Sequence, residues 1–203
     1  MRRLFLVLLL PALCTGCLSG REVSPTRFYV LEPEPPAPPT SSAPLPVTLG
    51  VRRLDAARPY KVPMVVRTEG EMLDFRLQES WTEAPADAVT RALIDALVAA
   101  HRFADVGRSE EMARPDFQLT GELRKCYENR AASPATADLE VRIVVREARG
   151  PGKLLDQIFS ASVPMQEDTG AGLSRAMSEA ATAVVRDAAV AVISAEGYLT
   201  ASS

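Results

Sequence analysis

Two hydrophobic patterns divide this chain. Leu4 to Leu13 is a nearly unbroken apolar run behind Arg2 and Arg3, whereas beyond residue 46 apolar positions either alternate with polar ones or recur every three to four residues. Val47, Leu49 and Val51 alternate with Thr48, Gly50 and Arg52, which predicts a strand. Met64 to Arg67 predicts another, Glu69-Gly70 a turn, and Leu73, Phe75 and Leu77 the apolar face of a half-buried return strand with Asp74 and Arg76 opposite. Three longer alternating runs follow: from Phe117 towards Tyr127, over Leu139 to Arg146, and from Leu154 to Val163 behind Gly150-Pro151-Gly152. Three strands in series predict an antiparallel meander. The dense run Arg27 to Leu31 and the short Phe103 to Val106 read as further strands.

Helical spacing appears twice. Over about 83–102, Val89, Leu93 and Leu97 step by four with Ala92, Ala96 and Ala100 beside them; Thr82 is the candidate N-cap, and Pro85 is tolerable only because it lies so near the start. Over about 172–196, Leu173, Met177, Ala180, Val184, Ala188 and Val192 line one side, and the alanine content lets this helix lie close against a sheet, with Gly197 as its terminator. The expectation is a single α+β domain, a mostly antiparallel sheet of about six to seven strands packed by two long helices.

Composition changes this picture in three places. Of 16 prolines in 203 residues, seven fall between Pro33 and Pro46, so Glu32 to Pro46 is expected to be a stiff spacer reaching on the order of 45 Å in polyproline II. A formal charge of -3 with a pI near 5.4 argues against nucleic acid as a partner. Three cysteines and one histidine leave little for metal or thiol chemistry.

The N-terminal order of arginines, a ten-residue apolar core and small residues is that of a secretory signal peptide, and the run is too short for a lasting transmembrane helix. Thr15-Gly16-Cys17 resembles a bacterial lipobox, so Cys17 is the expected lipid-attachment site and the first mature residue. Leu18 in place of Asp tilts the expectation to the outer membrane, facing the periplasm. The division is then 1–16 signal peptide, 17–46 lipidated tether with first strand and proline linker, and 47–203 α+β domain. With Cys14 discarded and Cys17 acylated, Cys126 has no internal disulfide partner.

Phosphate-loop, HExxH, GxSxG and paired CxxC patterns are missing, so no catalytic residue, metal or cofactor is expected. His101 is read as a cation near a helix C-terminus. Cys126, with Arg124 and Lys125 beside it and placed on the face opposite the apolar one, is read as an inert thiol. Arg52, Arg53, Arg58 and Lys61 read as a solvated basic loop. Trp81 has two readings, core packing over the helix start or contact with a partner; together with Tyr60 it is the candidate for partner binding.

The lipobox at Cys17, the Phe28-Tyr29-Val30-Leu31 strand, Arg58-Pro59-Tyr60 before a hairpin, Trp81-Thr82-Glu83-Ala84-Pro85 opening a helix, and the meander with its closing helix together resemble the ABC-type transport auxiliary lipoproteins, in particular the PqiC-like branch. The resemblance implies a lipid-anchored accessory component of an ABC/MCE-type intermembrane lipid transport system that docks on an MCE-domain protein, not an ATPase and not an enzyme. It also implies that the chain forms a homo-oligomer. A structural assembly lipoprotein of another outer-membrane complex and a carboxylate-based periplasmic enzyme are the alternative readings.

Overall fold

The computed structural model describes residues 24–34, 43–70, 72–195 and 198. The elements run β1 (Arg27–Tyr29), β2 (Leu45–Val51), β3 (Asp55–Ala56), a 3-10 turn (Arg58–Tyr60), β4 (Pro63–Arg67), β5 (Leu73–Trp81), α1 (Pro85–Ala99), β6 (Phe103–Arg108), β7 (Phe117–Asn129), β8 (Thr136–Glu147), β9 (Lys153–Pro164) and α2 (Gly170–Ser194). All nine strands belong to one mixed sheet, and both helices pack on it, α1 against β6 and β7 and α2 against β8, β9 and β1. The chain therefore folds as a single α+β domain.

The 13-residue β7 organises the sheet. One edge pairs antiparallel with β8 along its whole length, and β8 pairs likewise with β9, as the alternation predicts. The other edge is covered piecewise by β2, β3 and β4, all parallel to it. These short parallel pairings, with β1 on β5 and β2 on β6, are not legible in the alternation, because a two- to seven-residue strand has the same period whichever way its neighbour runs.

The core lies between helices and sheet. Leu119, Leu123, Leu139, Val141, Ile143 and Val145 of the meander meet Val89, Leu93 and Leu97 of α1 and Leu173, Met177, Val184 and Val192 of α2, all buried. Tyr198, beyond α2, closes one end, with its ring edge-on to Phe103 and Phe117 at 5.2 and 4.9 Å and its hydroxyl donating to the Val192 carbonyl at 2.8 Å.

Four local expectations change. Thr82 does not cap α1: Ala84 is the N-cap residue, with no side-chain hydrogen bond, and Pro85 opens the helix, where its missing N–H costs nothing. Cys126 is in the core, not on the polar face, because a register shift between Leu123 and Lys125 puts two outward residues in succession and reverses the alternation beyond them. Burial pushes its thiol up to about 12, the inert behaviour expected but from desolvation. The third change concerns the proline segment. Leu31 is buried and the chain from Val30 to Glu34 lies along α2: the Ser174 hydroxyl donates to the Val30 carbonyl at 2.6 Å, and the N–H groups of Glu32 and Glu34 donate to Ser178 Oγ and Thr182 Oγ1 at 3.1 and 2.9 Å. Four helical residues advance about 6 Å and two extended ones about the same, so hydroxyls four apart match N–H groups two apart, and Pro33 falls where no donor is needed. Leu45 and Pro46 already belong to β2; Pro35, Pro36, Pro38 and Pro39, and Gly197, lie outside the described residues.

The fourth change concerns β5. Leu73, Phe75 and Leu77 face solvent, with Leu77 at 88% of its full exposure. Between Pro63 and Val65 the pairing on β5 jumps from Ser80 to Phe75, so β5 carries extra residues at Arg76–Glu79. Gln78 takes a left-handed backbone, φ 59°, which side chains disfavour.

Candidate interaction surface

The irregular stretch of β5 inverts the usual order of polar and apolar groups. Arg76 turns inward: Nε donates to Glu128 Oε2 at 2.6 Å, one terminal nitrogen to Asp168 Oδ1 at 2.6 Å, and the other to Glu79 Oε2 at 3.2 Å. The Glu128 side chain has no solvent exposure, and its second oxygen accepts from Arg130 Nε at 2.6 Å. Burial disfavours the Arg76 charge, but hydrogen bonds to Glu128, Asp168 and Glu79 outweigh it and raise its pKa. The Tyr29 hydroxyl completes the cluster by donating to Glu79 Oε1 at 3.0 Å. Gly170 makes room for this: a Cβ there would stand 2.6 Å from the Tyr29 ring.

Outside this charged cluster the same hairpin presents Met72, Leu73, Phe75 and Leu77 to water, and β1, which pairs with β5, adds an exposed Phe28 at the same edge of the sheet. Leu77 and Phe75 line a cleft of about 320 Å³ with Val66, Thr68, Asp74, Arg76, Glu79 and Arg130. A second, larger groove of about 490 Å³ lies between residues 30–34 and α2, walled by Glu32, Glu34, Arg175 and Glu179. This apolar strand edge beside a buried ion cluster is the candidate surface.

The residues singled out from sequence are placed differently. Tyr60 and Trp81 are 8% and 2% exposed, so both pack in the core, the first of the two readings given to Trp81. Tyr60 packs against the Tyr127 ring at 6.3 Å. Cys17 lies outside the described residues. His101 follows α1 in a left-handed conformation, φ 50°, with its N–H donating to the Val98 carbonyl, and is exposed at the helix end as read. Arg53 pairs with Asp87 on α1, while Arg52, Arg58 and Lys61 are solvent-exposed. The sequence reading missed the exposed hairpin face, since alternation reports that one face is apolar and not whether anything covers it. Among the described residues there is no cluster of three or more His, Cys, Asp or Glu side chains that could hold a metal ion, and no helix is long and apolar enough to cross a membrane.

The domain is a single mixed sheet with two helices on it, a paired N-terminal strand and an exposed apolar hairpin. Residues 29–189 match the family model described as "ABC-type transport auxiliary lipoprotein component", and the chain belongs to that family. Its fold is similar to that of protein XCC0632 from Xanthomonas campestris, assigned to DUF330, with a TM-score of 0.69 and 19% identity over 82% of this chain and 95% of that one. It is also similar to a crystal structure of an uncharacterized protein, with a TM-score of 0.65 and 10% identity over 83% of this chain and 99% of the other. No curated protein is significantly similar.

Proposed function

We propose that this protein is the lipid-anchored, periplasm-facing accessory component of an ABC/MCE-type system that moves phospholipid between membranes. In this reading it acts as a docking adaptor at the outer membrane and leaves ATP hydrolysis to other subunits. The observation that carries the reading is the family match over residues 29–189, which joins onto an N-terminal segment with the order of a lipoprotein signal and Cys17 at the cleavage position. Several acyl chains on Cys17, at about 0.8 kcal/mol per buried methylene, would hold the domain stably at the membrane. The domain then needs a surface and no turnover.

Three results test this. Cys17→Ala is expected to abolish acyl labelling and release the protein into the soluble periplasmic fraction; unchanged membrane retention and labelling would exclude the anchor. The wild-type protein is expected to co-purify from crosslinked membranes with an MCE-domain protein, and recovery with an unrelated outer-membrane complex instead would favour an assembly role. Genes for an ATPase, a permease and an MCE protein are expected beside its own.

A further inference from the structure

We propose that the exposed edge of the β4–β5 hairpin, Met72, Leu73, Phe75 and Leu77 with Phe28 beside it, is a membrane-contact surface that seats in the interfacial layer of the phospholipid bilayer. The proposal rests on the reading that Cys17 carries the lipid, and it assigns to the folded domain a second, non-covalent hold on the same membrane.

Direction is the first argument. β1 is parallel to β5, with Arg27 opposite Glu79 and Tyr29 opposite Trp81. Moving backwards along the chain from Arg27 towards Cys17 is therefore moving towards the start of β5, past Leu77 and Phe75 to the hairpin turn. The tether leaves the domain at the end where the apolar side chains are exposed. Length is the second. Ten residues separate Cys17 from Arg27, a reach of at most about 35 Å, while β5 from Ser80 back to Leu73 advances only as far as Pro63 to Arg67 opposite it, about 13 Å, because of the extra residues at Arg76–Glu79. An anchor at Cys17 can thus lie no more than about 22 Å beyond the hairpin along that direction, which keeps the bilayer within reach of it.

Chemistry is the third. The four hairpin side chains are unbranched, branched and aromatic hydrocarbon with one thioether, Leu77 standing 88% exposed, Met72 65% and Phe28 63%. Two of the charges on β5 are drawn away from them, Arg76 and Glu79 into the ion cluster with Glu128 and Asp168, while Asp74 between Leu73 and Phe75 stays exposed. Exposed Glu69 and Asp74 flank the turn, which points to a zwitterionic surface in preference to an anionic one, since like charges repel. Apolar groups of this kind gain most where they leave water for the acyl boundary while a polar rim stays hydrated.

The experiment uses the full-length acylated protein reconstituted into phosphatidylethanolamine/phosphatidylcholine vesicles. Leu77→Cys and, separately, Met72→Cys are labelled with an environment-sensitive fluorophore; Cys126 is buried and stays unlabelled, and Ile158→Cys on β9 is the exposed control. The expected result is a blue shift at positions 77 and 72 and loss of their emission to lipids brominated near the headgroup, with neither change at 158. Emission is expected to be quenched less in vesicles containing phosphatidylglycerol. A protein that floats with the vesicles while probes 77 and 72 report water overturns the contact and leaves the anchor standing. A protein that does not float overturns the anchor and the contact with it. A blue shift that appears without vesicles, or that brominated lipid does not quench, assigns the face to a second copy or another protein and overturns the membrane assignment.

Discussion

The outer face of the meander and the outer face of the hairpin solve the same problem in opposite ways. On β7, β8 and β9 the outward side chains include charged pairs, Lys125 and Arg124 with Glu140 and Arg142 with Asp156 across strands, and Lys153 with Asp156 within β9. Hydrogen bonds from Arg142 and Lys153 hold the Asp156 carboxyl well below the usual carboxylate range. On the β4–β5 hairpin the charges are inside and hydrocarbon is outside. The meander turns a largely charged surface outward, and the hairpin turns out an apolar one of the kind that marks contact sites.

Removing the same side chain from buried and exposed positions should break the comparison most visibly. Leu119→Ala in β7, at a fully buried position, is expected to cost about 3 kcal/mol in urea denaturation. Leu77→Ala, at 88% exposure, should stay within about 0.5 kcal/mol of the parent. A comparable loss at Leu77 would mean that the hairpin face is covered within the domain. Arg76→Ala is next: it strips Glu128 of one of its two cationic partners in a buried setting, and about 2 kcal/mol is expected. Full recovery of stability by Arg76→Lys would argue that point charge suffices and that the three-way fork does not matter.

Smaller effects refine the picture. Ser178→Ala leaves the Glu32 N–H without its protein partner and should cost about 0.5–1 kcal/mol, while protease cleavage near residues 30–34 accelerates. Unchanged cleavage would show that Leu31 with the Ser174 and Thr182 hydrogen bonds holds the strap without Ser178. Asp156→Asn should leave the urea midpoint at pH 7 nearly where it was, because the pair is solvent-exposed. Its signature is in acid: a carboxyl whose folded pKa is depressed stabilises above its unfolded pKa near 3.9 and loses that contribution as pH falls through the folded value. The parent should therefore show a slightly steeper loss of stability below pH 4 than the Asn variant. Cys126, with its thiol raised to about 12, is expected to react with a thiol reagent at pH 8 only at the rate of opening, and fast reaction in native buffer would place it outside the core.

Much of the framework was legible before any coordinates. The meander, the hairpin turn at Gly70 with φ 76°, and the two helices follow from alternation and from steps of four, because each of those elements has one face on the same core. Val89, Leu93 and Leu97, and Leu173, Met177 and Val184, are buried as their spacing implies. What failed did so for particular reasons. Cys126 moved to the core because one extra residue between Leu123 and Lys125 reverses parity, and nothing in the local composition announces that residue. Tyr60 and Trp81 drew notice as large aromatics near an arginine turn and a helix start, yet their size is what the core needed there.

The contact surface was the hardest part to read. Leu73, Phe75 and Leu77 carry the ordinary signature of a half-buried strand, and the sequence holds no sign that the buried face would instead be the one with Arg76. By itself the sequence determined the class of fold, the order of its elements, the family and the expected anchor at Cys17, since these depend on periodicity and on short contiguous motifs. Only the tertiary structure decided that β2, β3 and β4 share one edge of β7, that residues 30–34 are strapped to α2, and that an ion cluster takes the inner side of β5. Those outcomes depend on which segments meet across fifty or more residues, as Arg76 meets Glu128 and Asp168, and a pattern read along the chain carries no term for such meetings.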